Sequence, residues 1–222
     1  MSLILNLLAV SVGKPAPLGE WHGEPVTSAI RKTPLEEAPA VAVGATNIAG
    51  DAQADLTVHG GPDKAVYAYP AVHWPWWKAE AGFDAAPASF GENLTVQGGD
   101  EHVVRIGDRF AWGEVVLEVS QPRSPCFKFA MLTGREDMGA RMTVAARTGW
   151  YFRVAQTGEA PTRGELRRVA TDETMPSVHE AFTAVYHPRV RSDVLDKVMA
   201  APALSRDWRS GLLKRLKAAG LI

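Results

Sequence analysis

From Leu3 to about Asp63 the chain is written in short runs of Val, Ile, Leu and Thr that Gly or Pro cuts before helical length is reached, and no helical periodicity runs through them. Runs of that length bounded by turn formers read as strands. Leu3 to Val12, Val26 to Arg31, Ala40 to Thr46 and Ala54 to His59 are the first candidates, and their close spacing argues for a barrel or sandwich. Ala65 to Tyr69, Leu94 to Gln97, Val103 to Arg105, Arg109 to Trp112, Val115 to Ser120 and Gly149 to Val154 extend the pattern, and Leu166 to Val169 is placed to close it. At 222 residues, 46% of them hydrophobic, the chain can bury a sizeable core without cross-links.

Helical signals interrupt this pattern and then replace it. Pro70 suits the first turn of a helix through Trp74, Trp76 and Trp77 to Gly82, with Pro75 distorting its early turns. Its tryptophans fit packing against the sheet, or a stacking platform for a base or pterin. Phe127 to Thr133 and Gly139 to Thr148 have helix-like composition. After a polar stretch at Ala170 to Pro176 the texture becomes helical. Ser177-Val178-His179-Glu180 is a capping box, and Ser192 and Ser205 are placed to cap two more helices, the last ending at Gly220. A barrel domain over 1–172 and a three-helix domain over 173–222 are expected.

Net charge is −1, which gives no broad attraction to nucleic acid or to an anionic membrane, and the tail shows no base-reading pattern. No apolar run approaches the length of a membrane span. Met1 to Val10 lacks the basic residues and cleavage site of an export signal, and with a single cysteine the expected location is the cytoplasm. P-loop, GxGxxG, GxSxG and HExxH motifs are missing.

The chemistry therefore concentrates on Ser120-Gln121-Pro122-Arg123-Ser124-Pro125-Cys126-Phe127-Lys128. Two prolines hold the residues before them extended, so the only cysteine is presented by a stiff turn at a strand end. Arg123 and Lys128 beside it favour the thiolate, the form that attacks or ligates. A buried, inert thiol is the competing account, and a hydrolase with Cys126 attacking and His59 as base is a third. A second turn cluster, His59-Gly60-Gly61-Pro62-Asp63-Lys64, leaves backbone amides free to approach a ligand. Phe90-Gly91-Glu92-Asn93-Leu94 forms a third compact turn.

These three segments, in this order and followed by Gly149-Trp150 and the helical tail, resemble the MOSC family, in particular its stand-alone bacterial YiiM-type members, over nearly the whole chain. The resemblance implies a mainly β fold with peripheral helices, a MOSC-type β-barrel that binds molybdenum cofactor through Cys126 as metal ligand. Arg123, Lys128 and the Gly60 and Gly61 amides suit the pterin phosphate, with Lys64, Asn93 and Ser124 beside them and His59 as a hydrogen-bonding catalytic candidate. Glu92 and Asn93 also fit a purely turn-fixing role, and Asp63 and Lys64 a local pair. The activity implied is reduction of N-hydroxylated bases of the 6-N-hydroxylaminopurine type, with electrons from an external reductase because no flavin, haem or iron–sulfur motif is visible. A persulfide sulfur carrier and a non-catalytic cofactor-binding protein are the alternatives. Pyridoxal phosphate is not expected, and a homodimer is compatible with the chain.

Overall fold

A computed structural model of the chain describes residues 3–54, 60–187 and 189–220. Among these it forms twelve strands, six α-helices and two 3-10 turns. The N-terminal part contributes β1 (Ile4–Val12), β2 (Ala16–Trp21), β3 (Glu24–Ser28), β4 (Thr33–Pro34) and β5 (Ala40–Val43). The middle carries β6 (Val66–Pro70), α1 (Trp74–Ala81), β7 (Leu94–Gln97), β8 (Arg109–Trp112), β9 (Val115–Pro122), α2 (Phe127–Thr133) and α3 (Met138–Ala145). Then come β10 (Trp150–Gln156), β11 (Gly158–Pro161), β12 (Gly164–Ala170), α4 (Val178–Tyr186), α5 (Ser192–Ala200) and α6 (Arg206–Ala218).

The barrel is a ring in the order β1, β7, β6, β10, β9, β8, β12 and back to β1. Its first and last strands close it, with Ile4 facing Arg167 and Leu7 facing Gly164. Neighbours run antiparallel except β6 and β7, which are parallel. Along β1, Leu5 and Leu7 point inward while Asn6 and Leu8 point out; a bulge between Leu7 and Ala9 then shifts the register, and the strand end from Ala9 to Ser11 is buried. A bulge of this kind bends a strand and so helps a sheet curve shut.

Strand β6 is buried along its whole length. Because side chains alternate across a strand, Val66 and Ala68 enter the barrel core, whereas Tyr67 and Tyr69 face a second core under α1, α2 and α3 with Trp77, Phe90, Phe129, Met138 and Met142. Tyr69 stacks on Phe90 at 3.8 Å between ring centroids, and the Trp77 indole N–H donates to the Tyr69 hydroxyl. Aromatic pairs of this kind add about 0.5–1.5 kcal/mol each beyond the area they bury. The tryptophan helix is thus fastened to the barrel by packing.

Several expectations are corrected. The strand expected at Val26 to Arg31 is β3, which starts at Glu24, ends at Ser28 and pairs with the unexpected β2 in a hairpin turning at His22 and Gly23, both with positive φ. Gly158 to Gly164, whose glycines and proline read as a turn-rich connection, instead holds strand β11 over Gly158–Pro161, paired with β5. Val103 to Arg105 is not a strand: the Val103 and Val104 amides both donate to the Asp100 carbonyl in a turn, and Arg105 forms an isolated bridge with Ser177. Helix α1 starts at Trp74, so Pro75 sits in the first turn, where no helical hydrogen bond is lost. Ser192 is the first helical residue of α5, and Arg191 holds the cap position without a side-chain bond. Of the strand expected at Ala54 to His59, residues 55–59 lie outside the described residues.

The capping box at Ser177 and Glu180 forms in full, and Ser205 caps α6 by accepting from the Trp208 amide. The apolar faces of the tail, with Phe182, Val198, Trp208, Leu212 and Leu216, join the same continuous cluster as the barrel interior. The three helices therefore share the barrel's core and are held close to its end.

Gly149 marks the tightest point of the barrel wall. Its φ is +65°, and a Cβ there would collide with the Ala68 carbonyl and press on Tyr67 and Tyr69. Gly149→Ala is expected to lower the unfolding free energy by about 2–4 kcal/mol. Urea denaturation of the two proteins checks this, and a loss under about 0.5 kcal/mol would contradict the packing described.

Candidate functional site

Strand β9 ends at Pro122 and hands the chain to Arg123, Ser124 and Pro125, and Cys126 occupies the N-cap position of α2 in extended conformation. The thiol is partly exposed. It belongs to the walls of two cavities, which share Ser124, Cys126 and Tyr151.

The first cavity, of about 110 Å³, lies against the barrel and is lined by Lys32, Arg123 and Lys128 as well as Tyr67 and Tyr151. Arg123 is 4% exposed. Its guanidinium lies 5.0 Å from the Tyr67 ring and 5.1 Å from the Phe129 ring, and one nitrogen approaches the Met142 sulfur at 3.6 Å. Burial opposes its charge, but Tyr67, Tyr151 and Cys126 around it outweigh that and hold it above its ordinary value. No carboxylate forms a salt bridge with it among the described residues. A buried cation flanked by neutral rings is compensated best by an incoming anion. Burial also pushes the Tyr151 hydroxyl up, so that it is a neutral hydrogen-bond donor near pH 7.

Lys32 is the second buried cation of this wall. It forms an ion pair with Asp51, the two side chains being 8% and 2% exposed. Burial, the dominant effect, draws the ammonium below its ordinary value despite the raising influence of Asp51. Asp51 is fixed in turn by the Gly13 amide at 2.8 Å and by Asn93 Nδ2 at 2.9 Å. Asn93 also donates to the Ser11 carbonyl and accepts from the Tyr67 amide, so its side-chain amide is occupied by protein groups and does not line the cavity. It acts on the site through Asp51 and Lys32. Glu92 faces inward as well, accepting from the Ala88 and Phe90 amides and from the Thr95 hydroxyl. That is the turn-fixing role.

The second cavity, of about 220 Å³, opens between the cysteine loop and the tail, with Tyr186, Trp208, Gly211 and Lys64 in its wall. The tail is docked there by specific bonds. The Ser205 amide donates to the Ser120 carbonyl, its hydroxyl donates to Gln121 Oε1 at 2.7 Å, and Ser124 shares a 2.6 Å hydrogen bond with the Tyr186 hydroxyl. Lys64 pairs with Asp207 at 2.7 Å. Asp63 pairs with Arg153, so Asp63 and Lys64 reach two different partners and do not pair with each other. Gly60 and Gly61 have φ of 112° and 82° and lead into the 3-10 turn at Pro62–Lys64, and neither lines the two cavities. His59 lies outside the described residues.

Of the residues singled out from sequence, the fold thus brings Cys126, Arg123, Ser124 and Lys128 to one cavity and Lys64 to the other. Lys32, Asp51, Tyr67, Tyr151, Tyr186 and Trp208 had not been singled out. Lysine and aspartate are mostly surface residues, and nothing local marks Lys32 and Asp51 as partners. The strand tyrosines carried one usable signal: at alternate positions from Val66 and Ala68, they had to face away from the barrel interior.

A closed seven-strand barrel thus presents a lone thiol on a proline-stiffened loop, beside a buried arginine that has no salt-bridging carboxylate among the described residues. The family model "MOSC domain" matches residues 55–175, and "YiiM-like, 3-alpha helix domain" matches 176–219. YflK of Bacillus subtilis is 39% identical over 210 residues, covering 95% of this chain and 94% of its own length. The crystal structure of YiiM from Geobacillus stearothermophilus superposes with a TM-score of 0.78 at 32% identity, covering 96% of this chain and 99% of that one. A protein of Gibberella moniliformis named "Reductase" is 37% identical over 158 residues, which are 68% of this chain and 27% of that longer protein. The chain belongs to the MOSC family.

Removing one partner of the buried pair leaves the other charged and uncompensated. Lys32→Met is expected to cost about 3–5 kcal/mol of stability. Asp51→Asn should cost less in that variant than in the parent, as read from urea midpoints around the double-mutant cycle, and equal costs in the two backgrounds would refute the coupling.

Proposed function

We propose that the chain binds molybdenum cofactor at Cys126 and reduces N-hydroxylated nitrogen bases of the 6-N-hydroxylaminopurine type. The observation that carries this is the position of Cys126 on the edge of a cavity whose buried Arg123 has no salt-bridging carboxylate among the described residues. A thiolate is a soft donor suited to a thiophilic metal, and the neighbouring cations suit the phosphate of a pterin. Among the described residues no group of three or more His, Cys, Asp and Glu side chains could hold a metal ion. A metal held by Cys126 therefore brings its other ligands with it, as a pterin-bound metal does. MOSC domains are associated with this cofactor, and one relative carries the name reductase.

In this reading Cys126 would ligate the metal, Arg123 and Lys128 would neutralise the phosphate, and Lys32, whose charge is already paired with Asp51, would add a hydrogen-bond donor on the same wall. Tyr67 and Tyr151 wall the cavity, and the neutral Tyr151 hydroxyl donates a hydrogen bond towards whatever lies beside the thiol. The bound group supplies a two-electron couple able to accept oxygen. Cleaving the N–O bond of R–NHOH to R–NH2 consumes two electrons and two protons and releases water, the electrons coming from an external reductase. The matched part of the fungal relative is 27% of its length.

Protein produced in a host that makes the cofactor is expected to carry close to one molybdenum per chain together with fluorescent pterin oxidation products. Both should fall at least about tenfold in Cys126→Ala, through loss of the thiolate ligand, and in Arg123→Met, through loss of the buried cation. Reduction of 6-N-hydroxylaminopurine with an artificial electron donor should fall with them. Folded parent protein that acquires neither metal nor pterin sinks the proposal, and a persulfide on Cys126 in its mass spectrum would favour sulfur transfer.

A further inference from the structure

The wall of the second cavity has an unusual gap. Gly211 lies inside α6, with nothing within 4 Å of where its Cβ would be, and its φ lies outside the left-handed range. An interior helix glycine weakens a helix relative to alanine, and here neither backbone conformation nor close packing requires it. The space it leaves belongs to the cavity that Cys126 borders. Trp208, three residues earlier on the same helical face, forms the adjoining wall, and Tyr186 from the end of α4 forms another, its ring 6.1 Å from that of Trp208. The cation on this wall, Lys64, is ion-paired with Asp207. The first cavity is rich in cations and has no acidic side chain in its lining among the described residues. The second is aromatic and balanced in charge.

We propose that this second cavity is the substrate subsite, formed jointly by the cysteine loop and the three-helix tail, and that it takes a planar, uncharged nitrogen heterocycle lying against Trp208 and Tyr186 in the space left by Gly211. The inference rests on the reading that the cofactor occupies the cationic side of Cys126, which leaves the aromatic side for the base. The Ser124–Tyr186 hydrogen bond sets the position of the Tyr186 ring relative to the cysteine loop. Gly211 is a specificity-determining position, because any side chain there projects into the volume the ring would fill. The tail thereby acquires a role in substrate choice in addition to covering the barrel end.

The test uses the full chain purified from a cofactor-competent host, with calorimetric titration of adenine and 6-N-hydroxylaminopurine, and molybdenum measured on the same samples. The parent should bind both bases, and inorganic phosphate should not compete. Gly211→Leu should weaken binding at least about tenfold by filling the space while leaving molybdenum content unchanged. Gly211→Ala should raise Tm by about 2–4 °C, since helix propensity improves without a clash, and this guards against misreading a folding defect in the larger variant. Unchanged base affinity in Gly211→Leu, competition by phosphate, or no binding of either base to the parent overturns the proposal. Base binding is read whether or not metal is present, so a failure here and a failure of cofactor loading are told apart.

Discussion

Strand β6 is the constraint on which the other parts depend. It is buried on both faces, so its alternating side chains must satisfy two cores at once: small aliphatic residues inside the barrel and two tyrosines outside it. The outer tyrosines fix where α1, α2 and α3 can pack, and Tyr67 additionally lines the cavity that holds Arg123. Their hydroxyls donate to the carbonyls of Thr148 and Arg147, which ties the approach to β10 to the same strand. Gly149, squeezed against Ala68, follows from that closeness. Its amide donates to Glu101, a buried carboxylate that His73 holds at 2.6 Å. The floor of the site is thus braced from behind by packing and by hydrogen bonds.

On this floor the cysteine loop needs little further support. Prolines at 122 and 125 restrict the backbone, Arg123 is clamped between aromatic rings, and the Arg123 amide donates to the Gly149 carbonyl at 3.3 Å. The thiol is left at the junction of two cavities of opposite character, one cationic and one aromatic. That division is what lets a single side chain stand between an anionic cofactor and an uncharged base in the proposed function.

The tail completes the arrangement. Its contacts with the barrel fall into two kinds: an apolar continuation of the barrel core through Phe182, Trp208 and Leu212, and polar bonds clustered around the cysteine loop through Ser205, Asp207 and Tyr186. The apolar part holds the helices on the barrel. The polar part sets their register beside Cys126. A displacement of α6 by a single turn would remove both Trp208 and the gap at Gly211 from the cavity.

Much of the fold was legible in local chemistry. Run lengths bounded by Gly and Pro gave most barrel strands, the capping box at Ser177 placed α4, and the prolines around Cys126 marked a stiff, presented thiol. These are effects within a few residues, where steric limits and hydrogen bonding act without tertiary help. The Asp51–Lys32 pair, the engagement of Asn93 by backbone groups, the separate partners of Asp63 and Lys64, and the pairing of β11 with β5 were decided only when distant segments met. Burial changes what a lysine or an asparagine is worth, and burial is a property of the closed barrel. The sequence by itself determined that the single cysteine sits on a stiff loop at a strand end, because the restriction its flanking prolines impose is a local fact. Only the tertiary structure decided what surrounds it, because a cationic wall and an aromatic wall are each assembled from strands and helices far apart in the chain.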